Sequence, residues 1–251
     1  NHSFEIPSAT AWEVTPPTVV ASTETPNSEA YATWLATNTF EQKQKGFHAV
    51  YMRILNGNIS SVTSRSLIEA LIGYIGDDIR ITINQGLMLK YVPTANLAYV
   101  YSVLDAHGLA APGANSIANI TACPGTDTCN LAISDSTNIT SKLEAVISEE
   151  FPSLIHDSAM KIKISGCMNA CGQHSMASIG FHGSSLKAAD KRVLPALQVL
   201  LGGATLGNGE GKIADKVIKV PSKRGPQVLR TLLNNFEVEK VHIGVNSNSE
   251  S

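Results

Sequence analysis

Hydrophobic and polar residues follow clear periods along the first half of the chain. Alternation with period two predicts strands, and apolar positions three and four apart predict helices. The predicted elements are, in order, a strand at Phe47–Leu55, a turn at Asn56-Gly57, a helix opened by the capping box Ser66-x-x-Glu69, a strand at Ile79–Thr82 and a helix over Thr94–His107. The inward helix positions are predicted to be Leu67, Ile68, Leu71, Ile72 and Ile75, then Leu97, Val100, Tyr101 and Leu104. This order suggests a ferredoxin-like α+β half-unit.

The second half continues with the same kinds of pattern. Its predicted elements are a helix capped by Ser141-x-x-Glu144, a strand around Ile162, a strand at Ile213–Val220 and a final helix opened by Pro226. The inward positions of the two helices are predicted to be Leu143, Val146, Ile147 and Phe151, then Val228, Leu229, Leu232, Leu233 and Phe236. In the strand, Met160, Ile162 and Ile164 alternate with Lys161 and Lys163, which predicts that the two lysines lie on a solvated face.

Composition changes divide the chain into four predicted segments. Residues 1–28 are rich in Pro, Thr and Ser and are predicted to be a tail or linker, although Phe4 and Trp12 suggest that part of it packs. Residues 29–112 form the ferredoxin-like half-domain, and residues 113–245 form a mixed α/β domain. Residues 246–251, NSNSES, are predicted to be a disordered end.

Overall charge and hydropathy narrow the classes of function. The chain has 251 residues and a formal net charge of −2, which argues against a nucleic-acid partner. No apolar run approaches the length of a membrane span, so no membrane association is expected. These features predict a cytoplasmic protein.

The four cysteines are the most informative residues, because they fall in two short clusters. Cys123 and Cys129 lie in TACPGTDTC, and Cys167 and Cys171 lie in ISGCMNACGQ. Four thiolates are the usual complement of an iron–sulfur cluster, and both segments are rich in loop-forming residues. The alternatives are a pair of disulfides, a structural zinc site and four unrelated buried thiols. The spacings C-x5-C and C-x3-C differ from those usual in zinc knuckles.

The sequence around the cysteines resembles that of the nitrite and sulfite reductase haemoproteins, whose signature contains GC-x-N-x-CG. Three further segments resemble the family in the order it uses them, and the likeness covers roughly residues 34–239. These segments are FHAVYMRILNGNIS (Phe47–Ser60), DIRITINQGLMLKYVP (Asp78–Pro93) and LGGATLGNGEG (Leu201–Gly211). Family members have two similar halves, and this chain resembles the C-terminal half alone.

The resemblance implies two cofactors, a 4Fe–4S cluster and a sirohaem that share one thiolate. By position, Cys171 is the bridging ligand, while Cys123, Cys129 and Cys167 hold the remaining cluster irons. The other cofactor-binding residues implied by the resemblance are Arg80, Thr82, Gln85, Thr121, Asn169, Gln173, Gly202 and Gly203. Arg53 is a further candidate for a sirohaem carboxylate. Asn169 would tune the potential, or else serve only as a turn residue, and Gly202-Gly203 would form either a carboxylate site or an ordinary turn.

The family's reaction is the six-electron reduction of nitrite to ammonia or of sulfite to sulfide. Gln173 follows the bridging cysteine and resembles the nitrite branch, where sulfite reductases more often have Arg; nitrite is therefore favoured, with sulfite as the alternative. His174 and His182 are candidate proton donors, but surface or packing roles are the more usual ones for such histidines.

The expected partners follow from the same resemblance. The electron donor would be ferredoxin or a partner reductase, and the residues of the N-terminal half that grip sirohaem and the anion are missing. We therefore expect this chain alone to be inactive, and to lose or lack its cofactors easily. The competing functions are a binding module that assembles with a separate N-terminal half and a structural zinc-binding protein.

Overall fold

The computed structural model of the chain describes residues 17–20, 26, 28–207 and 209–247. The chain divides into two compact units, the first ending at Pro112 and the second beginning at Gly113, with Leu55–Gly57 belonging to the second. No helix in the described ranges is both long enough and apolar enough to cross a membrane.

The first unit is an antiparallel sheet covered by three helices. Its elements are α1 (Glu29–Asn38), β1 (Thr39–Glu41), β2 (Phe47–Met52), α2 (Ser61–Leu71), β3 (Ile79–Ile81), β4 (Leu87–Pro93) and α3 (Leu97–Ala106). The strand order is β1-β2-β4-β3, so β1 and β3 are edge strands. The largest fully buried side chains are Trp34, Met52, Leu71, Leu89 and Leu104.

Helix α2 begins at Ser61, and the prediction that Ser66 caps it is wrong. Its N-cap is Ser60, whose Oγ accepts a hydrogen bond from the Thr63 N–H at 2.9 Å. Ser66 lies inside the helix and its hydroxyl contacts Nε2 of His107. Ser60 is the cap because its backbone is extended, which leaves its side chain free to reach the first helical amides.

The inward face of α2 is narrower than predicted. Leu67, Leu71 and Ile75 are buried, but Ile68 and Ile72 are 51% and 66% exposed. Residues four apart share a helix face, whereas a neighbouring residue lies about 100° further round. The two isoleucines therefore leave the core face that Leu67 and Leu71 define.

The N-cap of α2 provides a direct test of this correction. Ser60→Ala is expected to lower the free energy of unfolding by about 1 kcal/mol, because the Thr63 amide loses its partner. Ser66→Ala, in the predicted capping position, is the matched control and should cost less, since its hydrogen bond is exposed. Urea unfolding of the three proteins measures both values. An equal or larger loss in Ser66→Ala would contradict the assignment.

Helix α3 agrees with its sequence prediction. Leu97, Val100, Tyr101 and Leu104 are all buried, and the chain leaves the helix through Gly108, whose φ is +67°. The helix proper begins at Leu97, after a 3-10 turn over Thr94–Asn96.

Part of the predicted tail packs against the first unit. Thr18 N–H donates to the Gly73 carbonyl at 2.7 Å. The buried Asn96 side chain accepts from Val20 N–H and donates to the carbonyls of Thr18 and Tyr74. Phe4 and Trp12 lie outside the described residues, as do most of the remaining tail and residues 248–251 of the predicted disordered end. Residues 246–247 are part of the last helix.

The second unit is a mixed five-stranded sheet with two long helices. Its elements are β5 (Thr121–Ala122), α4 (Ser136–Glu150), β6 (Ile162–Ser165), β7 (Ile179–Lys187), β8 (Val193–Leu201), β9 (Ala204–Gly207), β10 (Glu210–Lys212), β11 (Asp215–Pro221) and α5 (Gly225–Ser247). The sheet order is β11-β8-β7-β6-β5, and β9 and β10 form a separate hairpin. Strands β5, β6 and β7 are parallel, whereas β7, β8 and β11 pair antiparallel.

Two predictions for this unit are wrong in detail. Helix α4 begins at Ser136 with Asp135 as its N-cap, and Ser141 lies inside it, bonded to the Thr137 carbonyl. Strand β6 has no solvated face, because all four of its residues are buried. It pairs with a parallel strand on each side, and parallel strands are usually covered on both faces.

Candidate functional site

The first cysteine segment starts where β5 ends. Cys123 N–H donates to the Ile164 carbonyl at 3.2 Å, and Cys129 N–H donates to Gly125 at 3.0 Å. Gly125 has φ +59°, and a Cβ there would overlap Ser136 Oγ and lie 2.7 Å from the Ser134 carbonyl oxygen. Only glycine fits this turn, so the loop is folded tightly against the start of α4.

The second cysteine segment starts where β6 ends. Cys167 is buried at the head of the loop and Cys171 is exposed at its far side. Ala170 and Gln173 have φ of +59° and +61°, a conformation that non-glycine residues rarely adopt. Such backbone is typical of functional loops that are held by their surroundings.

Gly166 connects the two segments. Its carbonyl accepts hydrogen bonds from Ile133 N–H at 2.8 Å and Ser134 N–H at 3.1 Å, and its own N–H lies 3.0 Å from Cys123 Sγ. A Cβ at Gly166 would lie 2.7 Å from the Cα of Gly125. The carboxyl ends of β5 and β6 thus bring both cysteine pairs to one edge of the sheet.

The donor chemistry fits an iron–sulfur cluster. All four cysteines are free thiols, and a peptide N–H already points at one sulfur, an interaction that tunes the potential of such clusters. As placed, no three His, Cys, Asp or Glu side chains of the described residues could hold one metal ion. A cubane cluster does not need that convergence, because each thiolate binds a different iron, whereas a tetrahedral zinc requires all four ligands at one centre.

Lys163 forms a buried bridge between the two segments. Its Nζ donates to Thr121 Oγ1 at 3.3 Å and to Gln173 Oε1 at 3.1 Å, and the residue is only 8% exposed. Burial, and then the nearby Lys161 charge, lower the pKa of Lys163. Thr121 and Gln173, both predicted cofactor residues, are therefore brought together, by a lysine that was predicted to lie on a solvated face.

A pair of buried histidines lies behind the second segment. The rings of His174 and His182 are 4.8 Å apart. His174 Nδ1 lies 2.8 Å from Ser165 Oγ, which also accepts the Gly172 N–H at 3.0 Å. Desolvation, followed by the His182 and Lys216 charges, lowers the pKa of His174 to about 4, so its ring is neutral at pH 7. Neither histidine is on the surface.

A hydrogen bond at Nδ1 fixes the orientation of the His182 ring. Its Nδ1 lies 2.9 Å from the Gly183 carbonyl, so Nδ1 carries the proton. Its Nε2 is buried and has no hydrogen-bond partner among the described residues. Both imidazole rings are therefore packed in the interior, beneath the second cysteine segment.

The other predicted cofactor-binding residues of the second unit are Asn169, Gly202 and Gly203. Asn169 is exposed in the middle of the second segment. Gly202 has φ +86° and donates to the Ser178 carbonyl, and a Cβ at Gly203 would lie 2.5 Å from the Ala177 carbonyl oxygen. The geometry of the turn after β8 thus explains why both positions are glycine. Their contact with a cofactor stays a prediction.

The remaining predicted residues belong to the first unit. Arg80 pairs with Asp78 at 2.5 Å, and this guanidinium, with Lys90, holds the pKa of the Asp78 carboxyl below its usual value. Thr82 Oγ1 accepts the Gly86 N–H, and Gln85 has φ +62°. These three residues form the β3–β4 hairpin, and their contact with a cofactor stays a prediction. Arg53 donates to the Pro112 carbonyl at 2.6 Å.

Sequence reasoning missed the buried bridge at Lys163 and the link from Ser165 to His174. The alternation in MKIKIS was interpreted as a two-faced strand. One signal would have corrected it: a helix lies between β5 and β6, and a strand–helix–strand order implies parallel pairing with both faces covered.

Comparisons with known proteins agree with the cysteine motifs. Residues 113–242 match the family described as "Nitrite and sulphite reductase 4Fe-4S domain". Residues 40–107 match "Nitrite/Sulfite reductase ferredoxin-like half domain". The two matches follow one another in the order that the sequence predicted.

Individual relatives are reductases of both kinds. A sulfite reductase [ferredoxin] of Mycobacterium tuberculosis is 27% identical over 167 residues, which cover 65% of this chain and 30% of that protein. A ferredoxin–nitrite reductase of Synechococcus elongatus is 25% identical over 197 residues, covering 76% and 36%. The sulfite reductase [NADPH] hemoprotein beta-component of Salmonella newport is 30% identical over 139 residues, covering 53% and 24%. The matched part of the chain thus spans between about a quarter and about a third of the length of these relatives.

Solved structures give the same result. The Mycobacterium tuberculosis NirA protein superposes with a TM-score of 0.65 at 25% identity, over 79% of this chain and 37% of that one. Dissimilatory sulfite reductase I, at 9% identity and a TM-score of 0.60, shares the fold over 75% of this chain and 62% of that one. The predicted α+β class is confirmed, and the predicted cofactors, a 4Fe–4S cluster and sirohaem, are those that the family implies. The chain belongs to the nitrite and sulphite reductase family, with a ferredoxin-like half domain followed by a 4Fe-4S domain.

Proposed function

We propose that this chain is the cofactor-holding C-terminal half of a reductase that converts nitrite to ammonia. The observation that carries the proposal is the junction at Gly166, which places the cysteine pairs of both loops at one sheet edge. Cys123, Cys129, Cys167 and Cys171 would hold the cluster, and Cys171 would also reach the sirohaem iron. Its exposure on the outer side of the loop suits a ligand shared with a second group.

The chemistry explains why such a site is needed. Nitrite takes up six electrons and eight protons to give ammonium and two waters, and the two cofactors when bound supply the iron that holds the anion and the electrons for its reduction. The role of the polypeptide is to position the two cofactors and to shield them from solvent. The interlocked loops hold the sulfurs, and Gly166 N–H stabilises thiolate charge at Cys123.

Substrate preference follows from Gln173, which stands two residues after the shared ligand Cys171. The Gln173 side chain is itself neutral, and its Oε1 accepts a hydrogen bond from Lys163 Nζ at 3.1 Å. A neutral group suits monoanionic nitrite better than dianionic sulfite. Sulfite is the alternative substrate, supported by the sulfite reductases among the relatives.

The site is tested by reconstituting the full chain anaerobically with iron, sulfide and sirohaem. We expect the parent protein to show a Soret band together with cluster absorption, and Cys171→Ser to lose the coupled spectrum because the shared thiolate is gone. Met168→Leu, at an exposed position of the same loop, is the matched control and should keep the spectrum. Binding of zinc with no chromophore in the parent chain would overturn the proposal.

We further propose that the loaded chain alone does not turn over. The chain spans about a third of the length of these two relatives. The family resemblance implies that most of the Arg and Lys residues that grip the anion belong to the first half. Ferredoxin or a partner reductase would be the donor of the assembled enzyme. Sustained oxidation of reduced methyl viologen by the reconstituted chain with nitrite would refute this part alone.

A further inference from the structure

The second unit contains a buried cation that no carboxylate of the described residues neutralises. Lys163 is 8% exposed, and its only partners among the described residues are a hydroxyl and an amide oxygen. Burying an ammonium group without a counter-charge is strongly unfavourable. Such a group is retained when something else supplies the missing negative charge.

The two partners of Lys163 indicate where that charge belongs. Thr121 stands two residues before Cys123, and Gln173 stands two residues after Cys171. Lys163 itself lies on β6, which runs directly into Cys167. The ammonium group therefore lies where the chain enters the first cysteine segment and leaves the second.

We propose that Lys163 is the cation that balances the negative charge of the iron–sulfur cluster and its thiolates. The proposal rests on the proposed function, since it requires that the four cysteines hold a cluster. Four thiolates carry more negative charge than the iron–sulfide core carries positive charge, so the bound centre is an anion. Lys163 compensates for it through space while its hydrogen bonds hold both segments.

The neighbouring Lys161 differs from Lys163 in its burial and in its hydrogen-bond partners. Lys161 is only half-buried, and its Nζ donates to the Asn115 carbonyl. Burial lowers the pKa of Lys161, and the nearby Asp157 charge opposes that shift. It thus has a carboxylate nearby and, among the described residues, no hydrogen bond to either cysteine segment. It carries the same charge two residues away, which makes it the natural control.

A positive charge near the cluster has a measurable consequence. Adding an electron makes the centre more negative, so a nearby cation favours the reduced form. Lys163→Met is expected to lower the ratio of reduced to oxidised cluster at a fixed potential by roughly three- to tenfold, the effect of one unit charge at an intermediate dielectric constant. Lys161→Met should change it much less.

The experiment is an anaerobic redox titration, followed by EPR, of the full chain reconstituted with iron and sulfide but no sirohaem. Urea unfolding of the cofactor-free proteins is measured alongside. We expect Lys163→Met to shift the cluster to a lower potential while the cofactor-free protein is unchanged or more stable, because an uncompensated buried charge has been removed.

The alternatives give different results. A merely structural lysine would leave the potential unchanged and lower the stability of the cofactor-free protein, which would overturn the inference. An effect that appears only after sirohaem is added would assign the charge to a sirohaem carboxylate and would also overturn it. Failure of the parent chain to take up any cluster would refute the proposed function itself, whereas a cluster with equal potentials in all three proteins refutes this inference alone.

Discussion

Gly172→Ala is expected to destabilise the second unit by about 3 kcal/mol and to abolish cluster uptake. A Cβ at this position would overlap the carbonyl oxygen of Ile164 and lie 2.9 Å from its carbonyl carbon. Neither atom can move without breaking β6, so the loop would have to shift. That shift would take Cys171 with it and break the bond from Gly172 N–H to Ser165 Oγ.

Urea unfolding and the iron content after reconstitution measure the two effects. Gly211→Ala is the matched control, since the nearest atom to a Cβ there is the Ala204 carbonyl oxygen at an ordinary 3.4 Å. It should bind iron like the parent chain. Normal iron uptake by Gly172→Ala would show that the second cysteine segment tolerates movement and that its tight packing is unrelated to ligation.

The second large effect is a loss of stability in acid that depends on His174. Its pKa is about 4 in the folded protein and 6.5 in the unfolded chain. The unfolded chain therefore binds more protons between these values, and stability falls as the pH is lowered through this window. The shift corresponds to about 3 kcal/mol, fully lost only below pH 4.

The groups that face His174 all act against its protonation. His182 on β7 and Lys216 on β11 repel a positive ring, and burial disfavours it further, while Ser165 on β6 offers a hydrogen bond to Nδ1. His174→Gln should flatten the dependence of unfolding free energy on pH between about 6.5 and 4. His156→Gln, at an exposed position, is the matched control. Identical slopes in all three proteins would mean that His174 is not the responsible group.

The cysteine motifs could be predicted from sequence because ligand chemistry is local. A cluster demands particular side chains at short, fixed spacings, and loops between such ligands need glycine and other turn residues. Helix α3 could be predicted for a similar reason, since the period of its apolar residues and the stop at Gly108 are contained in one stretch of sequence.

The remaining features depend on contacts that are distant in sequence. The β7–β8 hairpin was not predicted, because Gly180 and Gly183 weaken the strand pattern. Their small size is needed by partners elsewhere: a Cβ at Gly183 would overlap the Gly166 carbonyl oxygen. The burial of Lys163 likewise follows from the strands on either side of β6. Ser66 and Ser141 both match the capping-box sequence. That motif contains no information about where the preceding backbone becomes helical, so it places both caps too late in the chain.

The junction at Gly166 has a consequence for how metal binding begins. Its hydrogen bonds to Cys123 Sγ, Ile133 and Ser134 join the two cysteine segments through the polypeptide itself. Four thiols on two joined segments act as a chelator with a high effective concentration, so the first iron captured makes each later ligand intramolecular. Cluster assembly should therefore be steep in iron concentration, with few partly loaded molecules.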